Sequence, residues 1–267
     1  MPGQDEKGDG MKVVILCGGQ GTRIRDVSET LPKPMLPIGQ FPILWHIMKL
    51  YSHYGINDFV VCCGYRGYVI KEYFANYLLH NSDVTIDLCT RSIDVHSHKA
   101  EPWKVTLIDT GEATLTGERL KRVFPYLKDE KSFFFTYGDG LCDVNLTKLA
   151  KFHHNHGKNA SVTVVRPPGR FGSVSIEPCG KVNSFEEKPL GDGGYINGGF
   201  FVLSKEVFNF LPKENASWES TPILNLVDKK QLMAFKHNGF WSAMDTLREK
   251  NYLDELWNSN RAPWKQW

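Results

Sequence analysis

The chain carries almost no excess charge. Its 32 lysines and arginines stand against 30 aspartates and glutamates, a formal net charge of +2 over 267 residues. That leaves no bulk field to hold nucleic acid or an anionic membrane. No apolar run reaches the length a bilayer demands, and the first residues lack the apolar core of a secretory signal. Met1–Gly10 is polar and glycine-rich, ends just before a second Met at position 11, and is expected to be a disordered leader or expression remnant. Cysteine is scarce: Cys17, Cys62, Cys63, Cys89, Cys142 and Cys179, with no C-x-x-C pair. Several lie in apolar runs, so they read as reduced, buried thiols of a cytoplasmic protein. His96 with His98, and His153 and His154 with His156, have no partners at the spacing of a zinc site. What remains, 41% hydrophobic and 23% charged residues, is an ordinary globular composition with a sizeable core.

Against that background one segment stands out. The apolar run Val13–Leu16 meets three glycines in four positions, Gly18, Gly19 and Gly21, followed by Thr22 and Arg23; ten residues later Lys33 sits between Pro32 and Pro34. Glycines after a strand let backbone N–H groups approach a phosphate closely, and Arg23 and Lys33 add the cationic charge a polyphosphate needs. Neither common phosphate loop fits. A P-loop needs Gly-Lys-Ser/Thr after its last glycine, and a dinucleotide fingerprint needs a third Gly where Ile24 stands.

From Met11 onward short apolar runs alternate with helix-like segments. Lys12–Leu16, Asp58–Cys62, Val105–Asp109, Phe133–Tyr137 and Ala160–Val165 read as buried strands. Ile43–Tyr54, Gly67–Tyr77, Asn145–His156 and Thr246–Trp257 read as helices, with Asn145 a plausible N-cap. The alternation predicts an α/β fold with a doubly wound, mostly parallel sheet and ligands outside the carboxyl ends of its strands. Gly172–Ile176, Val182–Glu187 and Tyr195–Leu203 break the rhythm and are expected to form antiparallel ribbons of a smaller lobe. With no repeat and no linker, residues 11–267 are expected to be one domain with two halves, at about 11–140 and about 141–267.

Two carboxylates follow from this arrangement. Phe133-Phe134-Phe135-Thr136-Tyr137-Gly138-Asp139-Gly140 puts Asp139 at a strand's carboxyl end, where a carboxylate facing a triphosphate calls for a divalent cation; Gly-Asp-Gly is also good turn chemistry. Trp241-Ser242-Ala243-Met244-Asp245-Thr246 places Asp245 before a helix, where either Asp245 or Thr246 could be the cap. Between them, Glu187-Lys188 offers an acceptor beside a cation, although a Lys before Pro is commonly a solvated charge. Asn197, beside Gly198 and Gly199, can donate and accept at close backbone approach.

Gly-Gly-x-Gly-Thr-Arg followed by Pro-Lys-Pro resembles the signature of sugar-1-phosphate nucleotidylyltransferases. The resemblance runs over nearly the whole chain from Met11, and it implies a Rossmann-like mixed, mostly parallel sheet flanked by helices, with a smaller antiparallel sugar-binding lobe, the nucleotide bound by the half at about 11–140 and the sugar phosphate by the half at about 141–267. It implies that Asp139 and Asp245 hold one Mg2+, that Arg23, Lys33 and Lys188 act on the phosphates, and that Glu187, Lys188, Asn197 and Gly198 meet the sugar phosphate. Within the family the chain looks most like the cytidylyltransferase branch, which joins CTP to glucose 1-phosphate. The features pointing there are Trp45-His46-Ile47-Met48, Cys62-Cys63-Gly64-Tyr65, Asp109-Thr110-Gly111, Pro167-Pro168-Gly169-Arg170-Phe171-Gly172 and Ala262-Pro263-Trp264-Lys265. They add Arg170 and Gly172 to the sugar-phosphate side. A homo-oligomer, a hexamer, is further implied, as is a product destined for dideoxyhexose and cell-surface polysaccharide. UTP or dTTP as the nucleotide is the nearest alternative, and a non-catalytic sugar-nucleotide sensor a distant one.

If the base is cytosine, its O2/N3 edge needs donors and its amino group an acceptor. Arg119 is a pure donor, Thr114 and the carbonyls of Thr110 and Gly111 lie nearby in sequence, and Arg119 could equally be an exposed charge opening an Arg119–Tyr126 helix. The remaining nucleotide contacts are expected from Leu16, Cys17, Gly18, Gly19, Gln20, Gly21, Thr22 and Gly138. Trp257, Trp264 and Trp267 crowd the end of the chain, marking either an interface or a tail folded back on its own core.

Overall fold

A computed structural model describes residues 10–21, 24, 31–97, 100–166, 173–186 and 194–267. In chain order the first half comprises β1 (Val13–Cys17), β2 (Pro37–Ile38), β3 (Phe41–Pro42), α1 (Ile43–His53), β4 (Asp58–Cys63), α2 (Gly67–Ala75), α3 (Tyr77–His80), β5 (Val84–Asp87), β6 (Ser92–Val95), β7 (Lys104–Asp109), α4 (Thr116–Arg122) and β8 (Ser132–Tyr137). The second comprises β9 (Gly140–Cys142), α5 (Leu146–His156), β10 (Ala160–Val165), β11 (Ser173–Ile176), β12 (Val182–Glu186), β13 (Ile196–Ser204), α6 (Thr221–Asp228), β14 (Leu232–Lys236), β15 (Trp241–Ala243) and α7 (Leu247–Asn258).

Seven strands form the central sheet in the order β14-β10-β13-β8-β1-β4-β7. β1 lies parallel to β4 and β8, β4 to β7, and β10 to β14; β13 alone runs against its neighbours β8 and β10. The expected mostly parallel sheet is therefore present, with one correction. The Tyr195–Leu203 segment does not join a separate ribbon but enters the main sheet as β13, paired Phe201↔Phe135 and Val202↔Phe134. β11 and β12 do pair antiparallel outside it.

Both faces of the sheet are covered, which explains the continuous apolar runs. Alternate residues Val13, Ile15 and Cys17 of β1 pack with α1, while Val14 and Leu16 face Leu120 of α4 and the fully buried Trp218. α5 is capped by Asn145, whose side chain accepts from the Lys148 N–H at 2.8 Å. The chain's end folds back. Trp264 is fully buried, lies nearly parallel to Trp257 and donates to His46 Nδ1 at 3.4 Å, while Trp267 packs edge-on against Trp45. Burial drops the His46 pKa to about 4, so the neutral ring can donate from Nε2 to the Ile38 carbonyl at 2.9 Å. The tail tryptophans thus close their own core and give no support to an interface. Among the described residues no helix is long and apolar enough to cross a membrane.

Candidate active site

The carboxyl ends of β1 and β8 open into a cavity of about 340 Å³. Its floor is the turn after β1: Leu16, Gly18, Gly19 and Gly21 line it, with Gly138 from the end of β8. Gly138 has no room for a side chain, because a Cβ there would lie 2.8 Å from both the Leu16 carbonyl and Cys17 Sγ. Cys17 itself is buried behind the wall and Gln20 is exposed; neither lines the cavity. Thr22 and Arg23, and likewise Arg170, Gly172, Glu187 and Lys188, lie outside the described residues.

Three charged groups meet at the cavity's edge. Lys33 Nζ stands 2.6 Å from Asp139 Oδ2 and 2.5 Å from Asp245 Oδ1. Burial works against the Lys33 ammonium, but Asp139 and then Asp245 outweigh it and raise its pKa. The two aspartates are far apart in sequence and come together through one short ladder. β9 pairs antiparallel with β15, Gly140↔Ala243, and the Met244 N–H donates to the Asp139 carbonyl at 2.8 Å. The question of which residue caps α7 is also resolved. Thr246 Oγ1 accepts from the Glu249 N–H, and Glu249 Oε2 accepts from the Thr246 N–H at 2.9 Å, a complete capping box. Asp245 is released from that duty, so its side chain faces Lys33. Thr246→Ala is expected to lower stability by about 1 kcal/mol while keeping turnover, checked by urea melts beside steady-state rates.

A second cavity of about 310 Å³ adjoins the first and shares Tyr137, Asp139 and Asp245 with it. Asn197 and Gly198 line it, as does Trp241, whose Nε1 donates to the Gly198 carbonyl at 2.7 Å. Sequence reasoning left two further residues here without a role. The Tyr137 hydroxyl donates to Glu219 Oε1 at 2.6 Å and accepts from Asn197 Nδ2 at 3.2 Å; burial and then Glu219 raise its pKa, so it stays protonated. Glu219 Oε2 accepts from Thr116 Oγ1 at 2.7 Å. Tyr137 ended a recognised strand, but Glu219 sits in a loop with no pattern to mark it.

Arg119 is not the exposed charge that opens a helix. The helix holding it starts at Thr116, so Arg119 does not open it, and the side chain is only 3% exposed. It reaches the first cavity with its terminal nitrogens engaged. Nη1 donates to Thr110 Oγ1 at 2.7 Å and the Gly111 carbonyl at 2.8 Å, and Nη2 to the carbonyls of Gly18 at 3.0 Å and Glu112 at 3.1 Å. A Cβ on Gly18 would lie 2.1 Å from Arg119 Nη1, so that glycine makes room for the guanidinium. The Thr110 carbonyl accepts from Arg122 Nη1 at 2.9 Å. Thr110 and Gly111 therefore hold Arg119 rather than lining the cavity, while Thr114 does line it.

The histidines of α5 meet serines: His153 lies 2.9 Å from both Ser161 Oγ and Ser204 Oγ. Cys142, Asp143 and His237 gather elsewhere. There His237 Nε2 is 2.8 Å from Asp143 Oδ1, and burial pushes the Cys142 thiol well up.

A glycine floor after the first strand thus adjoins a lysine and two converging aspartates that stand between two neighbouring cavities. The chain belongs to the nucleotidyl transferase family, whose model matches residues 12–254. It is 54% identical over 257 residues to the glucose-1-phosphate cytidylyltransferases of Salmonella typhi and Salmonella typhimurium, with 96% of this chain and 100% of each relative covered. Among solved structures it is similar in fold to HddC from Yersinia pseudotuberculosis, at 24% identity and a TM-score of 0.67, covering 92% of this chain and 99% of that one.

Proposed function

We propose that this nucleotidyltransferase joins CTP to α-D-glucose 1-phosphate, yielding CDP-glucose and pyrophosphate. The observation that carries the reading is the shared charged centre: Lys33, Asp139 and Asp245 stand where a glycine-floored cavity meets one lined by Asn197 and Gly198. The identity to the Salmonella cytidylyltransferases supports the choice of CTP and glucose 1-phosphate.

A phosphate oxygen of glucose 1-phosphate attacks the α-phosphorus of CTP in line, the α–β bond breaks, and pyrophosphate leaves with the electron pair. No covalent enzyme intermediate is needed, so this chain's residues contribute position and charge. The Gly18–Gly21 backbone and Arg23 receive the β- and γ-phosphates. Lys33 moves its ammonium onto the α-phosphate as charge builds there. Lys188 aligns the attacking phosphate, Glu187 and Asn197 grip the sugar, and Tyr137 holds Asn197 in place. Asp139 and Asp245 would hold Mg2+. Their carboxylates converge on an ammonium, a cation already standing at that point, and two carboxylate oxygens suit a hard divalent ion. When bound, that ion would neutralise charge on the α-phosphate.

Base choice is assigned to Arg119 through the walls it fixes: it ties the Gly18 carbonyl to those of Gly111 and Glu112. Arg119→Ala should lower kcat/KM for CTP by about tenfold or more, since pairing lost in a polar site costs several kcal/mol, and should shrink the CTP-to-UTP ratio. An unchanged ratio would move base choice to the backbone of Leu16–Gly19 and Gly138.

A homo-oligomer, with a hexamer as the expected size, completes the reading. Ile86, Leu88 and Ile93 on the β5–β6 ribbon are half or more exposed and offer apolar surface for it. Light scattering should give a mass several times the 30.4 kDa chain; a fully active monomer would refute it. The activity itself is tested by pyrophosphate release with four nucleotides crossed against three sugar phosphates. CTP with glucose 1-phosphate should give the highest kcat/KM, and a higher value for UTP or dTTP would reassign the nucleotide.

A further inference from the structure

Lys33 does more in this structure than wait for a phosphate. Its stem is fixed: the residue opens a short 3-10 turn, Lys33–Met35, between Pro32 and Pro34, and its Cβ packs so close to Gly21 that a Cβ there would lie 3.1 Å away. Only the outer methylenes can swing. They carry the ammonium to a point 2.6 Å from Asp139 and 2.5 Å from Asp245, with the lysine side chain 11% exposed against 33% and 23% for the aspartates. Two carboxylates brought together by the β9–β15 ladder would repel each other without a cation between them, and the ammonium is that cation.

A divalent ion ligated by the same oxygens, at about 2.1 Å for Mg2+, would need the space and the charge balance that the ammonium now supplies. Both cations cannot share the pair, because like charges a few ångströms apart in a partly buried site repel strongly. Lys33 can leave the aspartates at low cost only when another anion accepts it. The adjoining cavity supplies one when a nucleotide phosphate is bound.

We propose that Lys33 is the internal counter-cation of the Asp139–Asp245 metal site and exchanges with the incoming divalent ion, so that metal binds weakly alone and strongly once a nucleotide phosphate receives the ammonium. The inference rests on the assignment of Asp139 and Asp245 as metal ligands. Lys33 thereby also sets the order of events: the aspartates become available to metal as the phosphate arrives.

The test is a titration of Mn2+ alone into nucleotide-free protein, with free Mn2+ read by electron paramagnetic resonance. Lys33→Met keeps the length of the side chain and removes its charge, and should bind Mn2+ at least tenfold more tightly than the wild type. Without metal it should melt at a lower temperature than the wild type, and Mn2+ should raise its melting temperature more. Lys33→Gln carries the same comparison if Lys33→Met does not fold. Equal or weaker Mn2+ binding in the folded lysine variants, abolished in every background by Asp139→Asn, overturns the exchange and leaves the ligand assignment standing. Mn2+ binding indifferent to Asp139→Asn overturns both.

Discussion

Asp245→Ala is expected to lower the turnover number by about a hundredfold or more and to leave the binding of glucose 1-phosphate nearly unchanged. On the proposed metal role, losing one ligand raises the barrier by about 3 kcal/mol or more, whereas the sugar phosphate is assigned to other groups. Asp139→Ala should behave the same way. The structure makes the Asp245 variant a clean experiment, because Thr246 supplies the helix cap and the Asp245 N–H donates to Glu249 through the backbone, which the substitution keeps. The stability lost should therefore be confined to the Lys33 contact while turnover collapses. Steady-state rates at saturating substrates, with glucose 1-phosphate affinity by calorimetry, separate the two effects. Near-normal turnover would remove Asp245 from the chemistry.

Lys33→Ala is expected to lower kcat by about a hundredfold and to raise the apparent KM for CTP by only a few-fold. A group that meets the α-phosphate as charge accumulates stabilises the transition state more than the ground state, and such a loss appears in kcat. Arg23→Ala should affect both constants, since the pyrophosphate portion is held before and after transfer. Varied CTP at saturating glucose 1-phosphate resolves the pair. A Lys33→Ala enzyme altered only in CTP affinity would show that the lysine is a binding group and no more.

The central architecture was open to reading because β1, β4, β8 and β10 are buried on both faces and therefore appear as unbroken apolar runs. β13 was recognised as a strand but misplaced. Its partner is set by the register Phe201↔Phe135, a contact between chain segments that local pattern cannot display. β14, Leu-Met-Ala-Phe-Lys, went unrecognised: it lies at the sheet's edge, half exposed, without β-branched residues. At the site, Lys33, Asp139 and Asp245 could be named from their motifs, and the structure brings all three together. Choosing between Asp245 and Thr246 as the cap was beyond propensity alone, since both residue types serve. The burial of Arg119 was hidden for a different reason. Most of its partners are backbone carbonyls, which have no residue identity and leave no trace in a sequence. Glu219 was missed because a loop carboxylate acquires its meaning only from Tyr137 and Thr116 across space.

The most direct test of the account is phosphorus NMR of a reaction containing CTP, Mg2+ and glucose 1-phosphate enriched with oxygen-18 at its non-bridging phosphate oxygens. If the sugar phosphate attacks the α-phosphorus of CTP at this site, CDP-glucose accumulates with all the label retained on its glucose-bearing phosphate, and pyrophosphate is released unlabelled. Label in the pyrophosphate, or no CDP-glucose formed from CTP and glucose 1-phosphate, would contradict it.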